Sequence, residues 1–219
     1  MSKNGPFALL FHALVVLFML APLVVVCLVA FTPENTLSLP TTEFSLRWFR
    51  AVFERADFVD AFYNSLILAF SAATLATLIA VPAALAITRF EFPGRDFLNG
   101  LFLSPIIIPH LVLGVALLRL FALMGVNGSF AWLIFAHVLV ITPYVLRLVL
   151  ASAIGLDRSA EHAAQSLGAG RFTLFRQITL PMILPGVAGG WLLAFINSFD
   201  EVTLSIFVPS PATQTLPVR

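Results

Sequence analysis

Long apolar stretches separated by short polar segments dominate the pattern along this chain. Each stretch is about 20 residues or longer, the length that an α-helix needs to cross the hydrocarbon core of a bilayer. The pattern therefore predicts an all-α, polytopic transmembrane helical bundle with five spans. The predicted spans cover about residues 7–31, 64–87, 101–123, 130–153 and 183–208.

Prolines mark the places where these spans are expected to bend. Pro82 makes the second span kinkable, and Pro105 together with Pro109 predicts a bent or irregular third span, whose freed carbonyl groups need neighbouring helices. Pro22 interrupts the first span. Because the first span is also too long for a signal peptide and lacks a small-residue cleavage site after it, we expect it to be retained.

A polar segment follows the first span, at about residues 32–60. Within it, Phe44, Trp48 and Val52 fall on one side of a helix, and charged residues occupy the other side. Two interpretations are open. The helix lies in the membrane interface with its aromatic rings at headgroup depth, or it packs on the protein as a surface helix.

A second polar segment, about residues 157–180, separates the fourth and fifth predicted spans. Asp157 or Ser159 can cap a first short helix, and Glu161 lies in its first turn, where the helix dipole favours a carboxylate. Gly168 can end this helix in the left-handed conformation.

The remainder of this segment predicts another short helix. Phe172, Phe175 and Ile178 recur every third residue and give it one apolar ridge, and Pro181 is expected to end it. We therefore expect a small knuckle of two helical pieces that projects from the bilayer.

Composition agrees with a membrane protein. The 219 residues are 60% hydrophobic and only 11% charged, with a net charge of +1. A nucleic-acid partner would need a basic face, so the composition argues against one. The single cysteine, Cys27, lies in the first predicted span and leaves no internal disulfide to form.

The sequence lacks the common catalytic motifs. A Walker-type phosphate loop needs a lysine beside its glycines, and Lys3 is the only lysine. Metal-hydrolase, cysteine-cluster and nucleophile-elbow motifs are also absent. A histidine within a span typically bonds a neighbouring helix, and no metal-ligand spacing relates His12, His110, His137 and His162. We therefore expect no catalytic residue, no bound metal and no cofactor.

Asn197, Ser198, Asp200 and Glu201 form a polar cluster within the fifth predicted span. A charged side chain costs roughly 3 kcal/mol near the centre of a membrane helix, so the two acids are expected to face a wet cavity or a partner. At 1.5 Å per residue, Asp200 lies about 25 Å from the inner end of the span. The cluster is a candidate for a translocation path; an ion pair with Arg119 is the other interpretation.

The segment at residues 157–180 resembles the cytoplasmic loop on permease subunits of bacterial ATP-binding-cassette importers. The family pattern is Glu-Ala-Ala, three residues, Gly, nine residues and Ile-x-Leu-Pro. Here His162 stands at the Glu position, with Glu161 one place earlier. The matching residues are Ala163, Ala164, Gly168, Ile178, Leu180 and Pro181. The resemblance implies the type I importer permease fold, with all eight residues in the loop that couples to a separate ATPase.

A Ser-Phe-Asp-Glu-Val run at residues 198–202 and Thr142-Pro143-Tyr144 in the fourth span resemble the spermidine/putrescine branch of these permeases. The resemblance implies an ATP-driven importer of a polyamine, and permeases for ferric iron or aminophosphonates are similar enough to stay as alternatives. An ATP-independent secondary transporter or channel is the alternative from another class. It predicts inverted repeats, which the sequence does not show.

The resemblance also implies partners and a location in the bacterial inner membrane. The expected assembly holds a pair of ATP-binding subunits, a periplasmic solute-binding protein, and a second permease that is either a homologous chain or another copy. A cytoplasmic loop at 157–180 places the N-terminus inside, with seven Lys and Arg residues inside and five outside. Family members typically have a further span after a stretch such as Thr215–Arg219, so we expect the usual last span to be missing here, either because the sequence is cut short or because the chain lacks that helix.

Overall fold

The described part of the computed structural model comprises residues 5–36, 39, 43–208 and 213–219. Within these residues the chain forms α-helices joined by short connections and contains no strand. Residues 1–59 and residues 60–219 are two separate compact units. Lys3 and the N-terminus, to which the sequence analysis assigns an inner position, lie outside the described residues.

The first unit contains an apolar helix and a short amphipathic helix. Helix α1, Pro6–Val29, has a mean hydropathy of 2.8 over its most apolar stretch, and none of its residues is buried. Helix α2, Arg47–Glu54, begins shortly after Ser45, whose backbone N–H donates to the Phe31 carbonyl at 2.8 Å. The apolar surface of α1 is therefore available to lipid or to another chain.

Four helices among the described residues are long and apolar enough to cross a membrane. They are α1, α3 (Ala56–Arg89), α6 (Phe130–Ile154) and a helix over Arg171–Phe199. Two shorter helices, α4 (Arg95–Ile107) and α5 (His110–Met124), give a fifth span if they are taken as one bent pair. The chain is thus an all-α membrane bundle.

The third predicted span bends by 102° between α4 and α5. Ile108 is extended, as expected for a residue before proline, and Pro109 has no backbone N–H to continue a helix. The two halves have 13 and 15 residues and are therefore about 20 and 23 Å long, too short for either to cross a core of roughly 30 Å alone. The pair is a broken span or a re-entrant element.

Helix α6 lies at the centre of the second unit, because it contributes to both hydrophobic clusters of that unit. One cluster joins it to α3 and to the helix that follows residue 180, around Ala76, Val145 and Ile183. The other joins it to α5 and to residues 204–208, around Phe121 and Leu133.

Two glycines let α6 and the last long helix approach closely. A Cβ atom added at Gly186 would lie 2.6 Å from the Leu148 carbonyl oxygen, and one added at Gly190 would lie 3.1 Å from the Val145 Cα. Spacing by four residues places both glycines on one helix face, where close backbone contact stabilises helix pairs in lipid. No pattern in the sequence indicated this contact.

The second polar segment forms less of a separate knuckle than predicted. It contains α7 (Ser159–Ser166) and α8 (Arg171–Leu174), followed without a break by a π-helical turn (Phe175–Thr179) and α9 (Leu180–Phe199). Pro181 does not end the second helix, which continues through it directly after the π-turn as the helix over Arg171–Phe199. The π-turn keeps the backbone hydrogen-bonded just before the proline, since the Leu180 N–H donates to the Phe175 carbonyl five residues earlier.

The fifth predicted span, about residues 183–208, is not one helix. Helix α9 ends at Phe199, and α10 comprises Thr203–Phe207. Glu201 Oε1 accepts hydrogen bonds from the first two backbone N–H groups of α10, at 2.9 and 3.2 Å. Because this side chain caps a new helix, the prediction of one continuous helix was wrong at the two acids.

The described end of the chain packs on α3. The Leu216 backbone N–H donates to the Ser65 hydroxyl at 2.8 Å, and the Asn64 side chain donates to the Gln214 carbonyl at 3.0 Å. A short 3-10 turn, Leu216–Val218, follows this contact.

Candidate functional site

Local hydrogen bonds fix both ends of α7. Asp157 accepts from the backbone N–H and the hydroxyl of Ser159, at 2.9 and 2.8 Å, and the backbone bond holds the pKa of Asp157 below its usual value. At the other end Gly168 has φ 85°. The Ala169 N–H donates to the Ala164 carbonyl at 3.0 Å, and the Gly168 N–H donates to a carbonyl three residues earlier at 2.9 Å. These paired bonds form a Schellman motif, so the predicted left-handed glycine is confirmed. The N-cap itself is Arg158, and Asp157 accepts from the first N–H of α7 from one residue further out.

Most of the α7 surface is exposed. The exposed residues include His162 and Ala163 in α7 and Leu167 and Gly168 directly after it, and Ala164 is half-buried. Leu167 is 89% exposed and Phe172, just beyond the turn, is 73% exposed. Two large apolar side chains that project from a polar segment are typical of a protein contact surface.

The apolar ridge predicted for the second helix of this segment is different in the structure. Phe172 is exposed, Phe175 and Ile178 are half-buried, and Leu174 and Thr179 are the buried residues. A spacing of three residues does not follow one face of a helix that winds from an α-turn into a π-turn. Of the remaining matched positions, Leu180 is half-buried and Pro181 is exposed.

Glu161 faces the interior of the chain. The residue is 7% exposed, and its Oε1 accepts hydrogen bonds from the Arg89 guanidinium and the Thr179 hydroxyl. Burial raises the pKa of Glu161, but the hydrogen bonds from Thr179 and Arg89, with the charges of Arg89 and Arg158, outweigh burial and lower it. Its carboxylate is thus ionised at neutral pH and engaged internally. Glu161 is thus held inside the chain, whereas the neighbouring His162 is exposed.

Arg89 belongs to this site, although no sequence pattern indicated it. It is the last residue of α3, its side chain is 20% exposed, and its Nη2 also lies 3.4 Å from Thr179 Oγ1. Arg89, Glu161 and Thr179, here called the Arg89 cluster, thereby join α3, α7 and the π-turn. The sequence offers only a weak signal, an arginine at the end of a span and an acid in a loop 72 residues later.

The four polar residues predicted for a translocation path have different surroundings. Ser198 is buried, and its Oγ lies 2.9 Å from Nδ1 of His137 in α6, so it is a helix contact and not a path residue. Asn197 is half-buried, and its amide donates to a carbonyl of its own helix at 2.8 Å. Asp200 is exposed, and the described part of the chain contains no ion pair between Asp200 and Arg119.

Glu201 contacts a histidine instead of Arg119. Its Oε2 lies 3.1 Å from Nδ1 of His110, the first residue of α5, while its Oε1 caps α10. The contact joins the bend between α4 and α5 to the break after α9. Within the described residues, no three His, Cys, Asp or Glu side chains lie close enough together to hold a metal ion.

Comparison with known proteins assigns the class. Residues 76–218 match the family described as binding-protein-dependent transport system inner membrane component. This range includes α7, the Arg89 cluster and both helix breaks. The chain belongs to this family. It is a transmembrane permease subunit of an ATP-binding-cassette importer, and it is a transport subunit and not an enzyme.

Several curated permeases are similar in sequence. The spermidine/putrescine transport system permease protein PotC of Escherichia coli (strain K12) is 36% identical over 176 residues, which cover 80% of this chain and 67% of that protein. The putrescine transport system permease protein PotI of the same strain is 34% identical over 210 residues, covering 92% and 74%. The molybdate/tungstate transport system permease protein WtpB of Thermococcus kodakarensis is 31% identical over 150 residues, covering 68% and 60%.

Solved importers share the fold. A crystal structure of a bacterial ABC transporter involved in the import of the acidic polysaccharide alginate matches 100% of this chain and 80% of that chain, with a TM-score of 0.73 and 14% identity. The alginate transporter in complex with an alginate pentasaccharide-bound periplasmic protein matches 94% and 77%, with a TM-score of 0.68 and 18% identity. At these identities the likeness shows the fold alone.

Proposed function

We propose that this chain is the permease subunit of an ATP-driven importer for a polyamine such as spermidine or putrescine. The observation that carries the proposal is the 36% identity to a spermidine/putrescine permease over 80% of this chain. Identity of 31% to a molybdate/tungstate permease indicates that cargo differs within the family, so ferric iron and aminophosphonates stay as alternative cargoes.

The ATP-binding subunits dock, in this proposal, on the exposed surface of α7. Its contact residues are His162, Ala163, Leu167 and Gly168, together with Phe172. A rigid helix closed by a Schellman motif suits insertion into a groove, and burial of Leu167 and Phe172 would contribute about 2 kcal/mol each. Because α8, the π-turn and α9 form one continuous helix over Arg171–Phe199, movement of the docked segment is transmitted along α9.

We assign Asp200 and Asn197 to the translocation path, at the opposite end of α9. The 20 residues of α9 span about 30 Å, so Asp200 lies near the membrane surface opposite α7. An exposed carboxylate at this place suits a cationic cargo. Ser198 and Glu201 do not line the path in this proposal. Their contacts with His137 and His110 hold the end of α9 and the start of α10 in position beside it.

The proposed assembly includes a second permease subunit, a pair of ATP-binding subunits and a periplasmic solute-binding protein. The segment at residues 157–180 then faces the cytoplasm, and the N-terminus lies on the same side. The support is the family membership and the fold shared with the alginate importer.

The test is uptake of labelled spermidine into proteoliposomes that contain the complete importer with its ATP-binding subunits and binding protein. We expect uptake that requires ATP and that unlabelled putrescine inhibits. Absence of spermidine uptake, together with ATP-dependent uptake of labelled ferric iron or a labelled aminophosphonate, would show that the cargo is not a polyamine. Uptake by the chain alone without ATP would instead indicate a secondary transporter or channel.

A further inference from the structure

The Arg89 cluster lies where three structural elements meet. Arg89 is the last residue of α3, Glu161 is the third residue of α7, and Thr179 ends the π-turn that leads into α9. The Arg89 and Thr179 side chains converge on one carboxylate oxygen, Glu161 Oε1, which accepts a hydrogen bond from each of them. Arg89 also donates to Thr179 Oγ1 at 3.4 Å, so each member of the cluster contacts the other two.

The cluster is charged although it is mostly shielded from water. The Arg89 and Glu161 side chains are 20% and 9% exposed, and Thr179 is fully buried. A shielded ion pair adds little stability over an apolar contact of the same volume, but removal of one partner leaves a costly unpaired charge. Such a pair resists separation and fixes the orientation of the elements that carry it.

A second, weaker contact ties the same two helices. The Arg158 guanidinium, at the start of α7, donates to the Thr88 carbonyl near the end of α3 at 3.4 Å. Both contacts connect the last turn of α3 to the first turn of α7. A displacement of α7 must therefore either break these contacts or move the end of α3.

We propose that Arg89 is a positioning residue of the transport cycle, which makes α3 move together with α7 and α9 when the ATP-binding subunits displace α7. The proposal rests on the proposed docking of those subunits on α7. It assigns Glu161 to the transmission of movement within the permease and leaves docking to the exposed residues of α7. Without the cluster, displaced α7 would move α9 through the chain connection alone, and α3 would not follow.

The test compares Arg89→Ala, Glu161→Gln, the double variant and the charge exchange Arg89→Glu with Glu161→Arg in the complete reconstituted importer. The measured quantities are the yield of ATP-binding subunits that co-purify, the rate of ATP hydrolysis, and solute uptake per ATP hydrolysed. Arg95→Ala is the matched control, because Arg95 begins α4 in the next connection and has no ion pair among the described residues.

We expect normal co-purification and hydrolysis within about twofold of wild type, with uptake per ATP lowered roughly tenfold in each single variant. The double variant should be no worse than either single variant, because the two residues act as a unit, and the charge exchange should restore part of the loss. Arg95→Ala should resemble wild type. If Arg89→Ala does not fold, the result for Glu161→Gln alone tests the proposal, since this substitution preserves the shape of the side chain.

Wild-type uptake per ATP in Glu161→Gln would overturn the proposal. Parallel loss of co-purification and uptake would also overturn it, because the cluster would then only fold the docking surface. If the proposed function is wrong, the wild-type chain itself will show it, because it will bind no ATP-binding subunits or will take up solute without ATP.

Discussion

Glu201 Oε2 lies 3.1 Å from His110 Nδ1, and this contact joins the breaks in two membrane helices. His110 begins α5 after a 102° bend, and Glu201 caps α10 after the end of α9. Breaks in membrane helices free backbone groups that must be satisfied within the protein. Gly114 of α5 also contacts Phe207 of α10, with 2.9 Å between an added Cβ and the ring, so the two short helices pack as a pair.

The first prediction concerns the structural role of Glu201. Glu201→Ala removes the cap of α10 and the contact with His110, and loss of a helix cap typically costs about 1 kcal/mol. We therefore expect the unfolding temperature of the detergent-solubilised chain to fall by roughly 2–4 °C. Asp200→Ala, one residue earlier and exposed, is the control and should change it little. Equal unfolding temperatures for both variants would contradict the capping role.

The second prediction concerns the role of Asp200 in cargo uptake, as distinct from the structural role of Glu201. Asp200→Asn keeps the shape of an exposed side chain but removes its charge, and a hydrogen bond to a charged group contributes roughly 1.5–3 kcal/mol. We expect the KM for polyamine uptake to rise about tenfold or more, with unchanged yield of folded protein. Asp96→Asn, exposed in the first turn of α4, controls for a general loss of negative charge. Unchanged uptake kinetics in Asp200→Asn would remove this residue from the path.

The third prediction concerns the left-handed glycine that ends α7. A Cβ at Gly168 would meet no atom within 4 Å, so the constraint is its φ of 85° and not space. The left-handed conformation costs a β-branched residue about 1–2 kcal/mol, so Gly168→Val should distort the Schellman motif. We expect normal membrane insertion but loss of co-purified ATP-binding subunits and of uptake.

Two further variants sharpen this test. Gly170→Val should be tolerated, because Gly170 has an extended backbone and open space. Gly168→Asn should retain more docking than Gly168→Val, since asparagine tolerates the left-handed region. Equal docking in all three variants would show that the conformation of Gly168 is irrelevant.

The fourth prediction concerns the close approach of α6 and α9. A Cβ at Gly186 would lie 2.6 Å from the Leu148 carbonyl oxygen, a backbone atom that cannot move aside easily. Gly186→Ala should therefore destabilise the chain by about 1–3 kcal/mol through overpacking. Gly189→Ala is the matched control, because its nearest contact would be 3.9 Å away. Thermal unfolding of both variants checks the prediction, and equal stability would contradict the inferred contact.

Features that depend on nearby residues could be predicted from the sequence. The left-handed Gly168 follows from short-range hydrogen bonds and is confirmed, and Asp157 bonds the first backbone N–H of α7 from the residue before the N-cap. The long apolar stretches likewise predict membrane helices, because hydropathy over about 20 residues is a local property.

Features that depend on distant residues could not be predicted. Nothing near Glu161 indicates that its partner is Arg89, 72 residues earlier in the chain. The break at Glu201 depends on a partner 91 residues away, and hydropathy alone favours a continuous span there. Pro181 was expected to stop a helix because a local rule treats proline as a breaker, whereas here the helix over Arg171–Phe199 continues through it, directly after a π-turn.

The fifth prediction uses the lowered pKa of Glu161. The group is ionised in the folded chain at a pH where it would be protonated in an unfolded chain, so its contribution to stability is present above its ordinary pKa of 4.5 and is lost as the pH falls through the folded value. Wild type should therefore be more stable than Glu161→Gln at pH 7, and the difference should shrink as the medium is acidified below about pH 4.5.

Arg89→Ala should move this titration upward. The variant removes a hydrogen bond and a positive charge that lower the pKa of Glu161, while the burial that raises it stays. The carboxyl ¹³C shift of Glu161, followed against pH in detergent micelles, reports the midpoint directly. A midpoint in Arg89→Ala at or below that of wild type would show that Arg89 does not stabilise the carboxylate, and the ion pair would then be no firm connection between α3 and α7.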